Sequence, residues 1–546
     1  MTTKPIDYKK EREKDLEKIL SSTFPRKVVV AGPGTGKSFL FQKLIEDRKK
    51  RGKKNFLAIT FIGKLSDALA DDLAGLAKTT TMHGFAREFV FENRAKDWEY
   101  LPEIRRIIEE DLKVKGVTEY EIGDANYEER TNFYKAVGHD DVVHYAVDIC
   151  NKDSSKIPTR DLILIDEFQD FNEVEDAFIS VLAQKNEILI VGDDDQALYK
   201  FKGSHPKYIR GKHDASNEDY ESHTLRFCSR CPEVIVNVFR DVVKAHSQLI
   251  GDRINKDYFY FLPDKEFDSK LNPSIALMEL PPGMIAHKVR DELQKMLEKQ
   301  KIKSVLIIGE ARTCKAVLAT VAGSLREYGF QNVTHLTDEG VFKFNQHIID
   351  GYKILGKGTN AILGWRTLMQ DLDLTVRESL IRDGYSDGDA LVESIPAEFK
   401  KKHLLGAATF NKILRSTKSE RASIADSSLN HLSAQIVESQ RDSRELMTDQ
   451  IIKENKFIER PLANLEITVT NILGSKGLGA DVVFLVGFDQ GKLPAKKDVQ
   501  EDEVYQFLVA LTRTKKRLYL ITTQSKNGTP SSFLECIEAK YLNRVT

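Results

Sequence analysis

Cysteine is scarce in this chain, with five residues in 546. That number is too small for a disulfide scaffold and is typical of proteins kept in a reducing compartment. Two of the five form a single CxxC motif, which lacks the second cysteine pair or the nearby histidines that a zinc site requires. We therefore interpret the pair as structural. The five cysteines are Cys150, Cys228, Cys231, Cys314 and Cys536.

Long apolar runs are also missing. No stretch approaches the roughly 20 residues that are needed to cross a bilayer. The first twenty residues, MTTKPIDYKKEREKDLEKIL, are charged and contain no apolar segment of the kind that signal peptides carry. We therefore expect a cytoplasmic protein that has no membrane partner.

Charge of one sign is not in excess. The sequence has 82 Lys and Arg and 83 Asp and Glu, so its net charge is −1. The chain as a whole offers no electrostatic attraction to nucleic acid, and any such attraction has to be local. Its length is sufficient for several domains, each with its own core.

One stretch has specific chemistry: AGPGTGKS at residues 31–38. It follows an apolar run at residues 28–30 and precedes an amphipathic segment at residues 38–47. Strand, glycine-rich turn and helix are the context of a phosphate-binding loop, whose backbone N–H groups hold anions. The alternative is a glycine-rich turn that binds no ligand. We predict that a nucleoside triphosphate contacts Ala31, Gly32, Pro33, Gly34, Thr35, Gly36, Lys37 and Ser38, with Lys37 at the β- and γ-phosphates and Ser38 at Mg²⁺.

A second apolar run, residues 162–165, ends in two acids, Asp166 and Glu167. Four consecutive aliphatic residues indicate a strand buried on both faces, and ligands bind at the carboxyl ends of such strands. Asp166 would hold Mg²⁺, and Glu167 would polarise the attacking water as a general base. The alternative is that the acids cap the next helix. The phosphate-binding loop upstream favours the catalytic interpretation.

A further predicted strand, residues 187–191, leads to Gln196, which would sense a γ-phosphate. Residues 199–213 then combine five basic residues with aromatic ones and contain no acid. Cations neutralise phosphates, and aromatic rings stack on bases without reading their sequence. For single lysines here the alternative is a solvated surface loop, whereas Phe201 among them favours nucleic-acid binding.

The strand and helix patterns recur in two blocks, each of which is interrupted by a charged helical segment. We therefore predict an α/β fold with two parallel-sheet domains. The first domain would comprise residues 1–88 and 159–255 and the second residues 256–352 and 460–546, with helical insertions at 89–158 and 353–459 and a linker at 251–270.

Eight segments occur in the order that is found in one family. They are AGPGTGKS (31–38), ITFIGKLSDALADDL (59–73), TMHGFA (81–86), LIDEFQD (164–170), VGDDDQALYKFKGS (191–204), SRCPEVI (229–235), LGSKGLGADVVFLVG (473–487) and FLVALTRTKKRL (507–518). The chain therefore resembles the UvrD/PcrA/Rep group of superfamily 1 helicases. The resemblance implies two RecA-like P-loop domains, each with a helical insertion, that clamp one ATP with Mg²⁺ between them.

The same resemblance implies roles for further residues. Arg230 and Arg513 would be arginine fingers that stabilise charge on the γ-phosphate. With them, the catalytic set is Lys37, Asp166, Glu167, Gln196, Arg230 and Arg513. The path of a single DNA strand would be lined by Thr60, Phe61, His83, Tyr199, Phe201 and Lys202. Phe201 stands where the family usually has a stacking tryptophan, and Lys202 stands where it has an arginine.

The chain departs from the family pattern at several positions. It has no glutamine before Gln42, whereas the family has one upstream that reads adenine. Gly479 replaces a glutamate that contacts the nucleotide sugar, and Asn471 and Leu473 replace a threonine and a histidine. These changes remove a nucleotide contact and a strand contact, so we expect the coupling between hydrolysis and unwinding to differ.

Three functions remain open. The first is an ATP-driven 3′-to-5′ translocase and helicase that acts on single-stranded and tailed duplex DNA. The second is a DNA-stimulated ATPase that senses DNA ends and activates a partner nuclease, as in phage defence, with little unwinding of its own. The third is a P-loop NTPase unrelated to nucleic acid, and the basic and aromatic run at residues 199–213 argues against it.

Overall fold

The computed structural model describes residues 7–94, 96–214, 216–336, 346–358, 360–415, 462, 464–523 and 529–545. Much of the predicted insertion at 353–459 therefore lies outside the described residues. Within them, helices and strands alternate along most of the chain.

The helices of the described part are α1 (Tyr8–Ser21), α2 (Lys37–Lys50), α3 (Gly63–Leu73), α4 (Met82–Asn93), α5 (Ile104–Val114), α6 (Ala125–Tyr134), α7 (His139–Lys152), α8 (Glu173–Leu182), α9 (Lys207–His213), α10 (Glu233–Ala245), α11 (Leu262–Leu271), α12 (Ile285–Lys299), α13 (Lys315–Glu327), α14 (Gln346–Lys357), α15 (Ala361–Leu368), α16 (Leu374–Asp383), α17 (Gly388–Ser394), α18 (Ala397–Arg415) and α19 (Glu501–Thr512).

The strands are β1 (Arg26–Ala31), β2 (Phe56–Thr60), β3 (Lys78–Thr81), β4 (Glu99–Tyr100), β5 (Ala136–Val137), β6 (Leu162–Ile165), β7 (Ile188–Gly192), β8 (Glu221–Leu225), β9 (Phe227–Cys228), β10 (Phe259–Tyr260), β11 (Ile275–Leu280), β12 (Ser304–Gly309), β13 (Asn332–His335), β14 (Glu466–Asn471), β15 (Ala480–Val486), β16 (Thr514–Thr523) and β17 (Leu542–Arg544).

The first sheet contains six parallel strands in the order β3-β2-β6-β7-β1-β8. Its central strands are aliphatic throughout, and every residue of β6 and β7 is buried. Such strands need apolar cover on both faces. Helices α1, α2 and α3 supply it on one face, and α4, α7 and α8 supply it on the other. Because β1, β6 and β7 run parallel, the residues that follow them lie together at the carboxyl ends of the strands.

The second sheet contains seven parallel strands in the order β13-β14-β12-β15-β16-β11-β17. Helices α12 and α13 cover one face, and α10 and α19 cover the other. The predicted α/β class is confirmed, because two parallel sheets of this kind are consistent with two RecA-like domains. The predicted domain boundary at residue 255 stays a prediction; helix α10, which precedes it, packs on α19.

Two groups of helices interrupt the sheets. Helices α5–α7 lie between α4 and β6 in the chain, and α14–α18 lie between β13 and β14. The groups contact each other, because Ile104 and Ile108 of the first share an apolar cluster with Ile354 and Leu363 of the second. We call the contacts of α5 and α6 with α14–α17 the insertion interface.

A buried ion network crosses the insertion interface. Arg366 Nη2 lies 2.9 Å from Asp111 Oδ1 and 2.6 Å from Glu110 Oε2, and Arg130 Nη2 lies 3.0 Å from Asp111 Oδ2. Arg130 also donates a hydrogen bond to the Tyr385 carbonyl at 2.7 Å. Since buried charges are costly without partners, Asp111 holds one arginine from each insertion in place.

The predicted linker at 251–270 is wrong in its second half. Strand β10 pairs with β9, and residues from Leu262 to Leu271 form α11. Pro263 suits this helix, because the first turn does not need its missing N–H. The segment's charged residues gave little apolar periodicity from which to predict a helix.

Among the described residues, no helix has both the length and the apolar character that crossing a membrane demands.

Candidate nucleotide and nucleic-acid sites

The loop after β1 turns sharply and leads directly into α2. Gly34 and Gly36 have φ of +70° and +95°, a left-handed backbone that favours glycine. A side chain at Gly34 would also collide with Arg230, because its Cβ would lie 2.4 Å from the Arg230 Cβ. The glycines therefore permit both the turn and the close approach of the segment after β9.

Lys37 extends from the first turn of α2 towards the end of β6. Its Nζ lies 2.5 Å from Glu167 Oε1 and 3.7 Å from Asp166 Oδ1. Burial by itself would lower the pKa of Lys37, but the charges of Glu167 and Asp166 outweigh it and raise the pKa. The lysine is therefore a fixed cation beside the loop.

Glu167 has an unusual backbone for a non-glycine residue, with φ of +54°. Such conformations cost about 1–3 kcal/mol and are concentrated at functional sites. The Gln169 side chain donates to Glu167 Oε2 at 2.6 Å and accepts from the Asp193 N–H at 2.9 Å, which ties the acid to the end of β7. Although burial favours protonation, Lys37 and then Lys476 hold the pKa of Glu167 well below its usual range.

Gln196 joins the end of β7 in the first sheet to Arg513 beside the second sheet. Its side-chain N–H donates to Asp193 at 2.6 Å, and its side-chain oxygen accepts from Arg513 Nη2 at 2.9 Å. Arg513 follows α19 and also donates to the Leu478 carbonyl at 3.0 Å. Burial, followed by the charge of Arg230, lowers the pKa of Arg513 to about 10.

These groups line one cavity of about 300 Å³, which we call the nucleotide cavity. It brings together every predicted catalytic residue: Lys37, Asp166, Glu167, Gln196, Arg230 and Arg513. Of the predicted loop contacts, Pro33, Gly34, Gly36, Lys37 and Ser38 also line it. Ala31, Gly32 and Thr35 lie behind them; the Thr35 hydroxyl donates to the Gly32 carbonyl at 2.8 Å and so braces the loop.

Ser38 and Asp166 fit a Mg²⁺ ion by their chemistry. Both line the nucleotide cavity, and a hydroxyl with a carboxylate is an oxygen donor set of the kind that this ion prefers. The Glu167 N–H donates to Asp166 Oδ1 at 2.9 Å, and Lys37 Nζ lies 3.7 Å from the same oxygen, so both of these contacts use one oxygen of the carboxylate. Burial raises the pKa of Asp166 to about 6, and a cation would offset that penalty.

A second cavity, of about 480 Å³, lies between the two sheets and is lined in part by Lys476. Ile62 and Tyr199 line it from the first sheet, and Lys315, Asn471 and Lys476 are among the residues that line it from the second. We call it the second cavity.

Most of the predicted strand-binding residues gather beside the second cavity. The ring centroids of Phe61 and Tyr199 are 5.0 Å apart, and those of Tyr199 and Phe201 are 6.0 Å apart. Lys202 Nζ lies 5.8 Å from the Phe61 ring. Phe201 is 70% exposed, a large apolar surface left open to solvent. Thr60 is buried, and within the described part of the chain its hydroxyl has no hydrogen-bond partner.

His83 occupies a different setting, against the first insertion. Its ring stacks on His139 with centroids 3.8 Å apart, and Nδ1 lies 3.4 Å from Glu175 Oε1. Burial, then His139 and Lys202, lower the pKa of His83 to about 3. The ring is therefore neutral near pH 7 and could meet a nucleic acid only through stacking or a neutral hydrogen bond.

Sequence reasoning missed three residues that hold the site together. Lys476 forms an ion pair with Asp170, donates to the Gln196 carbonyl at 2.8 Å and lies 5.5 Å from the Tyr199 ring. It occurs within the segment LGSKGLG, so a signal was present. Tyr258 donates to the Pro33 carbonyl at 2.6 Å, and nothing local in its sequence predicts that contact.

Lys256 is the third. Its Nζ lies 3.0, 2.5 and 2.7 Å from carboxylate oxygens of Asp193, Asp194 and Asp195. These three acids are close enough to suit a metal ion, but Lys256, Arg210 and Arg253 already pair with them and balance their charge. The acids therefore order the segment after β7 that carries Gln196.

Two family models match the chain. One, described as an AAA domain, covers residues 17–202, and the other, described as a UvrD-like helicase C-terminal domain, covers residues 149–525. Probable DNA helicase II homologs of Rickettsia conorii and Mycoplasma genitalium are 24% identical over 400 residues and 23% identical over 433. These alignments include 67% and 70% of this chain and 61% and 58% of the relatives. The chain thus spans about three fifths of the length of these relatives.

A shorter alignment relates the chain to the ATP-dependent DNA helicase Rep of Buchnera aphidicola, with 37% identity over 92 residues, 15% of this chain and 14% of that protein. The second family model extends over well more than half of the 546 residues. The resemblance drawn from the motifs is confirmed: the chain belongs to the UvrD-like helicase family.

Proposed function

We propose that this protein hydrolyses ATP between its two sheets and uses the resulting movement to travel 3′ to 5′ along single-stranded DNA and to open tailed duplexes. The observation that carries the proposal is the position of Arg513. It comes from the second sheet, yet it lines the same cavity as Lys37 of the first and bonds to Gln196. A nucleotide there would be held by both sheets at once.

The chemistry follows from the charges. Lys37 holds the outer phosphates, and Glu167, kept ionised by Lys37 and Lys476, accepts a proton from the attacking water. Arg230 and Arg513 stabilise the charge that develops on the transferred group. Mg²⁺, held by Ser38 and Asp166, would neutralise phosphate charge when bound.

Lys476 supports a link between hydrolysis and DNA. Its ammonium contacts Asp170 and the Gln196 carbonyl on the nucleotide side, and it lines the second cavity near Tyr199. A shift of Gln196 as the γ-phosphate leaves would therefore move Lys476, which in turn would change its contact with the ring of Tyr199.

The second cavity supports strand binding. The rings of Phe61, Tyr199 and Phe201 adjoin one another, and Lys202 places a cation over two of them. Rings of this kind stack on bases, and cations neutralise the backbone. The overall charge of −1 is no obstacle, since the attraction is local.

The test measures ATP hydrolysis with and without single-stranded DNA, and then opening of a 3′-tailed duplex. We expect DNA to stimulate hydrolysis and the duplex to open. Lys37→Ala should abolish nucleotide-dependent activity, and Glu167→Gln should retain ATP binding while lowering the hydrolysis rate by about 10²–10⁴-fold. Hydrolysis that is indifferent to DNA would exclude the proposal, as would full hydrolysis by the Lys37 variant.

A second candidate function is a DNA-stimulated ATPase that senses DNA ends and activates a partner nuclease. The surroundings of Gly479 favour it: the three atoms that a Cβ there would meet first belong to Lys515, the Arg513 carbonyl and Arg230, and glycine itself offers no carboxylate to a nucleotide sugar. Asn471 is also engaged, since its side-chain oxygen accepts the Gly474 N–H at 2.7 Å. Stimulated hydrolysis without opening of a 3′-tailed duplex would support this function over the first.

A further inference from the structure

The turn from Cys228 to Cys231 connects both sides of the nucleotide cavity. Ser229 N–H donates to the Gly34 carbonyl of the phosphate-binding loop at 3.0 Å. At the other end of the turn, the Cys231 thiol contacts the Thr512 carbonyl, at the end of α19, at 3.6 Å. A change in the shape of this turn would therefore alter its contacts with the phosphate-binding loop and with Thr512, the residue next to Arg513.

The two cysteines of this turn are positioned to react with each other. Both have no exposed surface, and the Cys231 N–H donates to the Cys228 sulfur at 3.4 Å. Burial alone would raise the pKa of Cys228, but hydrogen bonds to its sulfur, among them the one from the Cys231 N–H, outweigh burial and lower the pKa to about 6. The thiolate is the reactive form of cysteine.

Arg230 lies between the two cysteines in the chain. Its Cβ is already 2.4 Å from where a side chain at Gly34 would begin, and the Cys228 sulfur is 3.1 Å from the same point. The turn thus packs against the loop without spare room. A disulfide requires the sulfurs to approach to about 2 Å, so forming one would have to move Arg230 relative to Gly34.

We propose that Cys228 and Cys231 form a reversible disulfide that displaces Arg230 and switches off ATP hydrolysis. The pair that the sequence predicts to be structural is then also a redox-sensitive site. This inference rests on the proposed role of Arg230 at the γ-phosphate.

The oxidant is a low-molecular-weight disulfide such as oxidised glutathione. The Cys228 thiolate attacks one glutathione sulfur, forms a mixed disulfide and releases the other glutathione as a thiolate. Cys231 then loses its proton to solvent and attacks the Cys228 sulfur, which releases the second glutathione. The dithiol loses two electrons and two protons, and two glutathione molecules gain them.

Access to Cys228, which attacks first, depends on the phosphate-binding loop. Its sulfur lies 3.1 Å from the point where a side chain at Gly34 would begin, and Cys231 is covered by Thr512 at the end of α19. Oxidation therefore requires the loop to move away from Cys228 and the cleft to open at Cys231. A nucleotide that is bound in the loop and held by both sheets should slow both movements.

The experiment treats the full-length protein with oxidised glutathione, locates disulfides by peptide mass spectrometry and follows ATP hydrolysis before and after reduction with dithiothreitol. We expect a Cys228–Cys231 disulfide, a loss of hydrolysis of at least tenfold, recovery on reduction, and slower oxidation with a non-hydrolysable ATP analogue. Cys228→Ser, which removes the attacking thiolate, should lose the sensitivity relative to its own untreated rate, and Cys536→Ser, away from the cavity, should keep it. Cys231→Ser should stop at the mixed disulfide, which mass spectrometry detects as glutathione on Cys228.

Several results would overturn the inference: no disulfide between the pair, a disulfide that leaves hydrolysis unchanged, or equal sensitivity of the Cys228 variant. Failure of the proposed function is distinguishable, because it would appear as absent hydrolysis in the untreated, fully reduced protein.

Discussion

At the scale of single residues, the nucleotide cavity is lined by three cations and three acids. Lys37, Arg230 and Arg513 line about 300 Å³ together with Asp72, Asp166 and Glu167, and burial together with Arg230 lowers the pKa of Arg513 to about 10. Glu167 and Asp166 lie beside Lys37, at one end of the cavity. A bound polyphosphate would pair with Arg230 and Arg513, so both arginines are in place before an anion arrives.

Phe201 allows a prediction about nucleic-acid binding. Replacing it with alanine should weaken single-stranded DNA binding roughly 5- to 150-fold, because stacking is worth about 1–3 kcal/mol per base. The KM for ATP should not change, and both quantities can be measured by titrating the stimulated ATPase. Phe267→Ala is the matched control, since that ring is 69% exposed against 70% for Phe201 but lies on α11. Equal loss of ATP binding in the Phe201 variant would point to a packing role instead.

Glu175 allows a prediction about pH. Burial raises its pKa from 4.5 to about 7, and the nearby Asp170 adds to the shift. Between those values the unfolded chain releases the proton while the folded protein keeps it, so the stability contributed by this group is lost as pH rises through that window. Glu175→Gln resembles the protonated acid and still completes the capping box with Asn172.

Thermal melts at pH 5 and pH 8 measure the effect. We expect Glu175→Gln to gain a few degrees over the wild type at pH 8 and little at pH 5. Glu173→Gln, on the exposed face of the same helix, should differ from the wild type equally at both values. A Glu175 variant with the same difference at both pH values would contradict the burial of an acid.

At the scale of elements, the insertion interface is the least expected part of the fold. Asp111 takes Arg130 from its own insertion and Arg366 from the other, and the latter pair is separated by 255 positions in the sequence. Removing one partner of a buried ion pair leaves a charge uncompensated. The two insertions are therefore joined by contacts that are costly to break.

Arg366→Ala should lower the free energy of unfolding by about 3–5 kcal/mol and speed amide hydrogen exchange in α5 and α15. Arg106→Ala is the control, because the exposed Arg106 reaches across the same interface to Gln370 at 3.1 Å. Exposed contacts of this kind contribute under about 1 kcal/mol. Unaltered exchange in the Arg366 variant would mean that the ion network does not hold the interface.

These elements also indicate what sequence could predict. Aliphatic runs such as residues 28–30 and 162–165 predicted buried strands because parallel strands with cover on both faces have few other compositions. The P-loop was predictable because its glycines and Lys37 lie within eight residues. Lys256, Tyr258 and the insertion interface were not, since their partners are distant in the chain and single lysines, tyrosines or arginines carry no local signal.

At the scale of the whole molecule, one contact joins the two cavities: Lys476, which lines the second cavity, contacts Asp170 and also Gln196, which lines the nucleotide cavity. The lysine is buried and its partner Asp170 lies 306 positions away in the sequence. It belongs to the second sheet, and both partners belong to the first. A change in the relative position of the two sheets would therefore change the distances from Lys476 to Asp170 and Gln196.

Lys476→Met keeps the volume of the side chain and removes its charge. The ratio of the ATP hydrolysis rates with and without DNA should therefore fall towards one, even at saturating DNA. Phe201→Ala should differ, because saturating DNA would restore its full stimulated rate. Lys299→Met, on the exposed end of α12, serves as the control. Undiminished maximal stimulation in the Lys476 variant would remove it from the coupling route. Rates measured over a range of DNA concentrations separate the two effects.

The insertion interface has one more consequence. Each insertion is tied to its own sheet by the chain, the sheets meet at Gln196 and Arg513, and the insertions meet at Asp111 and Arg366. The two sheets and the two insertions are thus connected in a closed ring, so a movement at one contact requires a movement at another. Opening the nucleotide cleft would therefore bend or shift the insertion interface. A ligand bound at either place would restrict movement at the other.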